Sequence, residues 1–300
     1  MIKRFFEYVE IRTKITSLFA FAMSIGVLLY QGESIQVMNT LVFFCSMFLI
    51  DIATTAINNY IDTKDGNQLL PFQRKTALHI IYALLISGGL LGIYLAYRTD
   101  LVVLFVGGLC FLCGVLYTYG PVPISRQPLG ELLSGIFYGL FIPFLMFYIN
   151  SPAGTFLSYS IRLEEVSISF HIIPILKLFL LAVIPFCCTA NIMLANNICD
   201  VEKDILVKRH TLPYYIGKKS IGLFAGLYYI CYAGIILMCI VKILSPLCLL
   251  ALLTLYPVEK NIREFKKKQV KSETFVVSIK NYITIMGSLT ILVFISLLLP

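Results

Sequence analysis

The chain has 300 residues, of which 59% are hydrophobic and 13% charged, with net charge +8 and mean hydropathy +0.88. An ordinary soluble domain carries about 25% charged residues, so this composition leaves too little polar surface to cover a water-soluble fold. It excludes a soluble enzyme and points to one integral membrane domain over residues 1–300.

The opening MIKRFFEYVEIRTK places Lys3, Arg4, Arg12 and Lys14 ahead of the first long apolar run. It has the charge of a signal-peptide start, but no small-residue cleavage site follows a short core. An interfacial helix that anchors the chain is expected. Runs of roughly 20 apolar residues can cross a bilayer. They occur near 15–31, 39–60, 76–97, 101–119, 129–149, 171–195, 219–241 and 274–299, with a shorter run at 245–258. The pattern predicts an all-α, polytopic membrane helix bundle of about nine transmembrane helices, arranged as two four-helix units plus one.

With the N-terminus cytoplasmic, this helix order puts all but four of the 24 Lys and Arg residues on the inner side. The exceptions are Arg98, Arg162, Lys177 and Lys242. Such an asymmetry is the positive-inside signature. The basic run EKNIREFKKKQVK then reads as a topology signal beside anionic lipid, and no nucleic-acid partner is expected. The nine Cys residues are scattered through apolar segments. Cys110, Cys113, Cys187 and Cys188 read as small hydrophobes.

Two polar clusters interrupt this pattern. NNYIDTKDG covers Asn58–Gly66 and NNICDVEKD covers Asn196–Asp204. Each follows a long apolar run, at corresponding places in the two four-helix units, as a weak internal repeat would place them. Asp51, Thr55, Asn58 and Asp62 share one helical stripe, and Asn196, Asp200, Asp204 and Lys208 recur every fourth residue with Asn197 alongside. One reading is polar residues capping helix ends at the membrane border. However, acids near membrane depth are costly and usually functional. Carboxylates also repel the negative end of a helix dipole unless a cation joins them. Carboxylate and amide oxygens, without His or thiolate, suit Mg²⁺. Basic residues follow each cluster, Arg74 and Lys75 after the first, Lys208 and Arg209 after the second. Metal with Arg and Lys can bind a diphosphate and stabilise it as a leaving group.

Four stretches resemble one family along nearly the whole chain. They are NNICDVEKDILVKRHTL, NNYIDTKDG, the loop YTYGPVPISRQPLGE over Tyr117–Glu131, and EIRTKITS before the first span. The chain resembles the UbiA-type membrane prenyltransferases, most closely the branch acting on 1,4-dihydroxy-2-naphthoate in menaquinone biosynthesis. It departs from that pattern at Thr13 (usually Pro), Asn59 (usually Asp), Gln68 (usually an acid) and Cys199 (usually Arg). Asp65 also falls three residues after Asp62.

The resemblance implies transfer of a polyprenyl chain from polyprenyl diphosphate to a small aromatic acid, with decarboxylation, to give demethylmenaquinone. The membrane would be of bacterial type, with the active site toward the cytoplasm and lipid around the prenyl tail. Asn58, Asp62 and Asp65 would hold one Mg²⁺; Asn197, Asp200 and Asp204 would hold a second, with Asn196 and Asp51 as further candidates. Arg74, Lys75, Lys208 and Arg209 would take the diphosphate. Tyr117, Tyr119 and Tyr138 are candidates for the wall around an allylic cation, Glu131 for a polar organiser, and Arg12 or Lys14 for the acceptor carboxylate. The alternatives are the same fold prenylating another acceptor, such as 4-hydroxybenzoate, and a cation transporter, whose repeats also place acids inside a bundle.

Overall fold

The computed structural model describes residues 1–63, 69–120, 123–162 and 164–299. A short helix α1 (Ile2–Tyr8) and a 3₁₀ turn (Ile11–Lys14) lead into α2 (Ile15–Tyr30), α3 (Val37–Asp62), α4 (Arg74–Arg98) and α5 (Leu101–Leu116). Next come α6 (Gly130–Asn150) and strands β1 (Leu157–Ile161) and β2 (Val166–Phe170). They are followed by α7 (Ile172–Leu206), α8 (Leu212–Ile216), α9 (Lys219–Ile240), a 3₁₀ rod (Pro246–Thr254) running into α10 (Leu255–Lys267), and α11 (Val276–Ser296).

Among the described residues, seven helices are long and apolar enough to cross a membrane. The shorter α5 and the rod leading into α10 occupy the other two positions where hydropathy predicts spans. The chain does not stay helical between α6 and α7. There β1 and β2 pair as an antiparallel hairpin, which corrects the all-α expectation. That segment carries alternating Ser and apolar residues, a period-two pattern that a helix cannot use.

Local chemistry explains several helix limits. The Asp100 side chain caps α5 by accepting from the backbone N–H of Val102 and Val103. Helix α7 ends at Leu206, two residues before Lys208 takes a left-handed φ of 57°. Lys208 is therefore off the helical stripe on which the four-residue spacing placed it. At 35 residues, α7 is roughly 52 Å long. It exceeds the roughly 30 Å hydrocarbon core and carries the second Asn/Asp cluster on its overhang. In α10, buried Val258, Ile262 and Phe265 lie three and four residues apart, opposite Lys260, Arg263, Lys266 and Lys267.

Close helix contact sets the centre of the bundle. A Cβ added at Gly139 would lie 2.2 Å from the backbone N and Cα of Phe186, and one at Gly135 would meet the Phe186 ring at 2.8 Å. This Gly-x-x-x-Gly face lets α6 press against α7, beside the one proline inside α7, Pro185. The same stretch of α6, Gly135–Phe141, widens into a π turn. Such turns often mark functional positions, and this one carries Tyr138. α11 is tied to α2 by the Tyr282 hydroxyl, which donates to the Thr16 carbonyl at 2.9 Å.

Gly139→Leu should therefore push the two backbones apart. Overpacking ordinarily costs about 1–3 kcal/mol, occasionally more. The expected outcome is a clear drop in the melting temperature of the detergent-solubilised protein, read by fluorescence-detected size exclusion, with Gly107→Leu, where a Cβ meets nothing within 4 Å, nearly silent.

Candidate active site

One ion pair organises the polar interior. Lys14 Nζ lies 2.8 Å from Asp51 Oδ1, with side chains 3% and 5% exposed. Lys14 also donates to Thr55 Oγ1 at 2.5 Å and to the Asp51 carbonyl at 3.1 Å. The carboxylate accepts further hydrogen bonds from Ser17 at 2.7 Å and from Tyr138 at 2.7 Å. Side chains from three segments thus converge on this α3 carboxylate: the 3₁₀ turn, α2 and the π turn of α6. A buried charge is tolerated only when paired and hydrogen-bonded, and this one is. Lys14, expected to meet an acceptor carboxylate, is instead held inside by Asp51. Asp51, a further metal candidate, is neutralised by Lys14. Eleven residues separate Asp51 from Asp62 on α3, roughly 16 Å along the helix.

The second polar centre lies at the end of the bundle where α3, α5 and α7 finish and α6 begins. Thr118, just past α5, donates to Asn58 Oδ1 on α3. Asn197 on α7 donates to Glu131 Oε1 at the start of α6, at 2.8 Å. Gly130 makes room for this contact: a Cβ there would sit 3.3 Å from the Tyr117 hydroxyl and 3.8 Å from Asn197 Nδ2. Burial pushes the Tyr117 phenol up to about 12, so it stays neutral at any physiological pH. The hydroxyl also points at Met193 Sδ, 3.7 Å away.

Arg209 joins the parts. Its Nε donates to the Ser125 carbonyl at 2.8 Å, and its Nη1 lies 3.8 Å from Asp204 Oδ1. The adjoining His210 backbone N–H donates to the Arg126 carbonyl at 3.2 Å. Arg209 thus ties the second Asn/Asp cluster to the loop between α5 and α6.

The other expected residues are placed as follows. Asp62 is exposed, and Asp200 is partly covered and paired with Lys271. Asn196 approaches Asn197 at 3.5 Å. Arg74 folds back onto α3, donating to the Tyr60 carbonyl at 2.8 Å with its guanidinium 4.2 Å from the Tyr60 ring centre. Arg12, Lys75 and Lys208 are exposed, and Tyr119 projects outward. Asp65 and Gln68 lie outside the described residues.

Two cations of the site were missed from sequence. Arg126, whose carbonyl accepts from the His210 N–H, sits in the Tyr117–Glu131 loop and could have been found there. Lys271 carried no signal beyond the general basic excess.

The donor set fits a hard divalent cation. Among the described residues, Asp204 Oδ2 and Glu131 Oε2 are buried without a hydrogen-bond partner, and the side chains expected to hold the ion, Asn58, Asp62, Asn197, Asp200 and Asp204, offer oxygen. Among the described residues, no three acidic, His or Cys side chains are close enough to hold an ion by themselves. Mg²⁺ does not demand this, since it commonly takes one or two carboxylates and completes its shell with water and phosphate oxygens.

The pattern of the UbiA prenyltransferase family matches residues 18–297. A 1,4-dihydroxy-2-naphthoate octaprenyltransferase from Bacillus subtilis (strain 168) is 29% identical over 214 residues, which cover 67% of this chain and 62% of that protein. The solved structure of a digeranylgeranylglyceryl phosphate synthase has a TM-score of 0.65 at 17% identity, covering 99% of this chain and 98% of that one. A UbiA homologue from Archaeoglobus fulgidus bound to DMAPP and Mg²⁺ has a TM-score of 0.58 at 11% identity, covering 96% and 99% of the two chains.

Removing one partner of the buried pair should be severe. Lys14→Ala is expected to cost about 3–5 kcal/mol, because it strands the Asp51 carboxylate. Lys14→Met combined with Asp51→Leu should recover much of that loss. Thermal unfolding of the two variants and the unaltered protein in detergent checks both expectations, and equal losses would rule out a stranded charge.

Proposed function

This chain belongs to the UbiA prenyltransferase family, and on that footing we propose that it transfers a polyprenyl chain from polyprenyl diphosphate to 1,4-dihydroxy-2-naphthoate. The acceptor loses its carboxylate, and the product is demethylmenaquinol, the reduced form of demethylmenaquinone. The observation that carries the reading is Arg209, held between the Ser125 carbonyl and Asp204 of the second Asn/Asp cluster, at the end of the bundle where α3 brings the first cluster. The acceptor is chosen from the naphthoate-prenylating relative. The charge asymmetry of the loops supports a cytoplasmic N-terminus and hence a cytoplasmic site.

Asn58, Asp62 and Asp65 on one side, with Asn197, Asp200 and Asp204 on the other, would hold two Mg²⁺, which when bound neutralise the diphosphate and improve it as a leaving group. Arg209, held by the Ser125 carbonyl, takes negative charge that builds on the leaving oxygen, where a preorganised cation is most effective. Arg126 and Lys271 add to that charge from two other loops. Lys75 and Lys208, both exposed, meet the diphosphate as it arrives. Glu131 holds Asn197 in place.

The allylic C–O bond breaks with its electron pair going to the diphosphate. The aromatic ring of the acceptor then attacks the allylic carbon, and the ring carbon sheds CO₂. Tyr117 stays neutral and offers a π face to the allylic cation, worth about 0.5–2 kcal/mol. Tyr138, hydrogen-bonded to Asp51, offers a second ring deeper in the bundle. Arg12 remains the cation for the acceptor carboxylate, since Lys14 is paired with Asp51.

Purified protein in detergent, given 1,4-dihydroxy-2-naphthoate and a polyprenyl diphosphate, should yield a prenylated, decarboxylated product with Mg²⁺ and none with EDTA. Asp200→Asn and Arg209→Ala should each lower the rate on the order of 10²-fold. Product with 4-hydroxybenzoate alone would replace the acceptor. Metal-independent turnover would overturn the mechanism.

Lys271 has a separate signature. It competes with Mg²⁺ for Asp200, and half-exposed ion pairs are worth at most about 1 kcal/mol. Lys271→Ala should therefore tighten Mg²⁺ binding without diphosphate by about two- to fivefold, measured by calorimetry, while weakening inorganic pyrophosphate binding in the presence of Mg²⁺.

A further inference from the structure

The hairpin between α6 and α7 has two unlike faces. Its register sets Leu157 opposite Phe170 and Tyr159 opposite Ile168, while Ser158 faces Ser169 and Ser160 faces Ser167. Successive side chains on a strand point to opposite faces. One face of the ribbon is therefore aliphatic and aromatic, and the other is all serine. The apolar face is uncovered: Ile168 is 57% exposed and Phe170 64%. An isolated two-stranded ribbon is marginally stable in water, and one with a bare apolar face is less favourable still.

We propose that this hairpin lies on the bilayer surface at the end of the bundle away from the Asn/Asp clusters, apolar face down among lipid and serine face up to water. Three observations name lipid as the occupant. The hairpin joins two membrane-length helices, with only six residues (151–156) between α6 and β1 and one between β2 and α7, so it cannot move far from the membrane boundary. Its base is pinned to the bundle. Phe156 is 4% exposed and packs near the rings of Phe144 and Tyr148, and the His171 N–H donates to the Phe156 carbonyl at 2.9 Å. The apolar face also continues directly into the outward side of α7, where Ile172 and Ile173 are each 69% exposed. The same lipid that covers those residues reaches Phe170.

The depth follows from the backbone. Among the described residues, the outer edges of β1 and β2 have no strand partner. Open sheet edges do not survive in hydrocarbon, so the ribbon stops at the headgroup boundary, about 5–10 Å into the interface. This placement is independent of the reaction proposed above and rests only on the chain spanning a membrane.

The absence of Trp from the chain makes the test direct. Ile168→Trp and Ser169→Trp are each reconstituted into vesicles of phosphatidylcholine brominated near the headgroup end or near the chain end. The Ile168→Trp signal should be quenched at least twofold more by shallow bromines than the Ser169→Trp signal, and more than by deep bromines. Acrylamide in the water should show the reverse order between the two variants. Equal quenching of both by bromolipid would overturn the proposal. So would shielding of Ile168→Trp from both quenchers, which would indicate a second copy of the chain on that face. A single symmetric size-exclusion peak in detergent and an unchanged helical circular-dichroism spectrum would show that both variants are folded, and Tyr159→Trp on the same face repeats the measurement if one is not.

Discussion

The buried pair of Lys14 and Asp51 is the constraint around which the rest of the polar interior is arranged. A lone carboxylate at that depth would be intolerable, and a lone ammonium equally so. Bringing them together requires the start of α2 to meet the middle of α3. Ser17 and Tyr138 then complete the carboxylate, and Tyr138 reaches it from the widened turn of α6. That turn lies on the face where two glycines remove side chains and allow α6 to touch the backbone of α7. A charge pair and a stripe of missing Cβ atoms thus fix how the first half of the chain docks on the second. The position of the Asn/Asp clusters follows from that docking.

At the site itself the same economy recurs with different partners. Asn197 is held by Glu131, Asn58 by Thr118, and Asp204 by Arg209. Each contact links residues from separate helices or loops, so the two clusters are oriented by the loops between them rather than by each other. The cations rest on backbone carbonyls or single carboxylates. They can turn toward an arriving anion at little cost, whereas the deep pair cannot. This difference separates a structural charge from charges suited to substrate.

The family pattern and the spans were legible because both are written in local order. Apolar runs of membrane length, the recurrence of Asn-Asn-x-x-Asp and the Tyr117–Glu131 loop need no knowledge of contacts. The role of Lys14 was not legible. A lysine before a span looks the same whether it snorkels to headgroups or turns inward, and its partner lies 37 residues away. Lys271 was hidden for the same reason, one basic residue among many until Asp200 is beside it. The hairpin was overlooked although its alternation of serine with apolar residues is visible at 157–170, because helix length was the only scale applied to a membrane chain.

The sequence by itself determined that the chain lives in lipid, roughly where its long apolar helices lie, and that oxygen-bearing side chains are gathered at two helix ends. Hydropathy, turn residues and helical spacing act over a few residues, and a one-dimensional reading captures them. Only the tertiary structure decided which acid is neutralised and which oxygens remain free, as with Asp51 against Asp204. Electrostatics in a low-dielectric interior depends on distance in space, and the groups that set it come from turns and helices far apart along the chain.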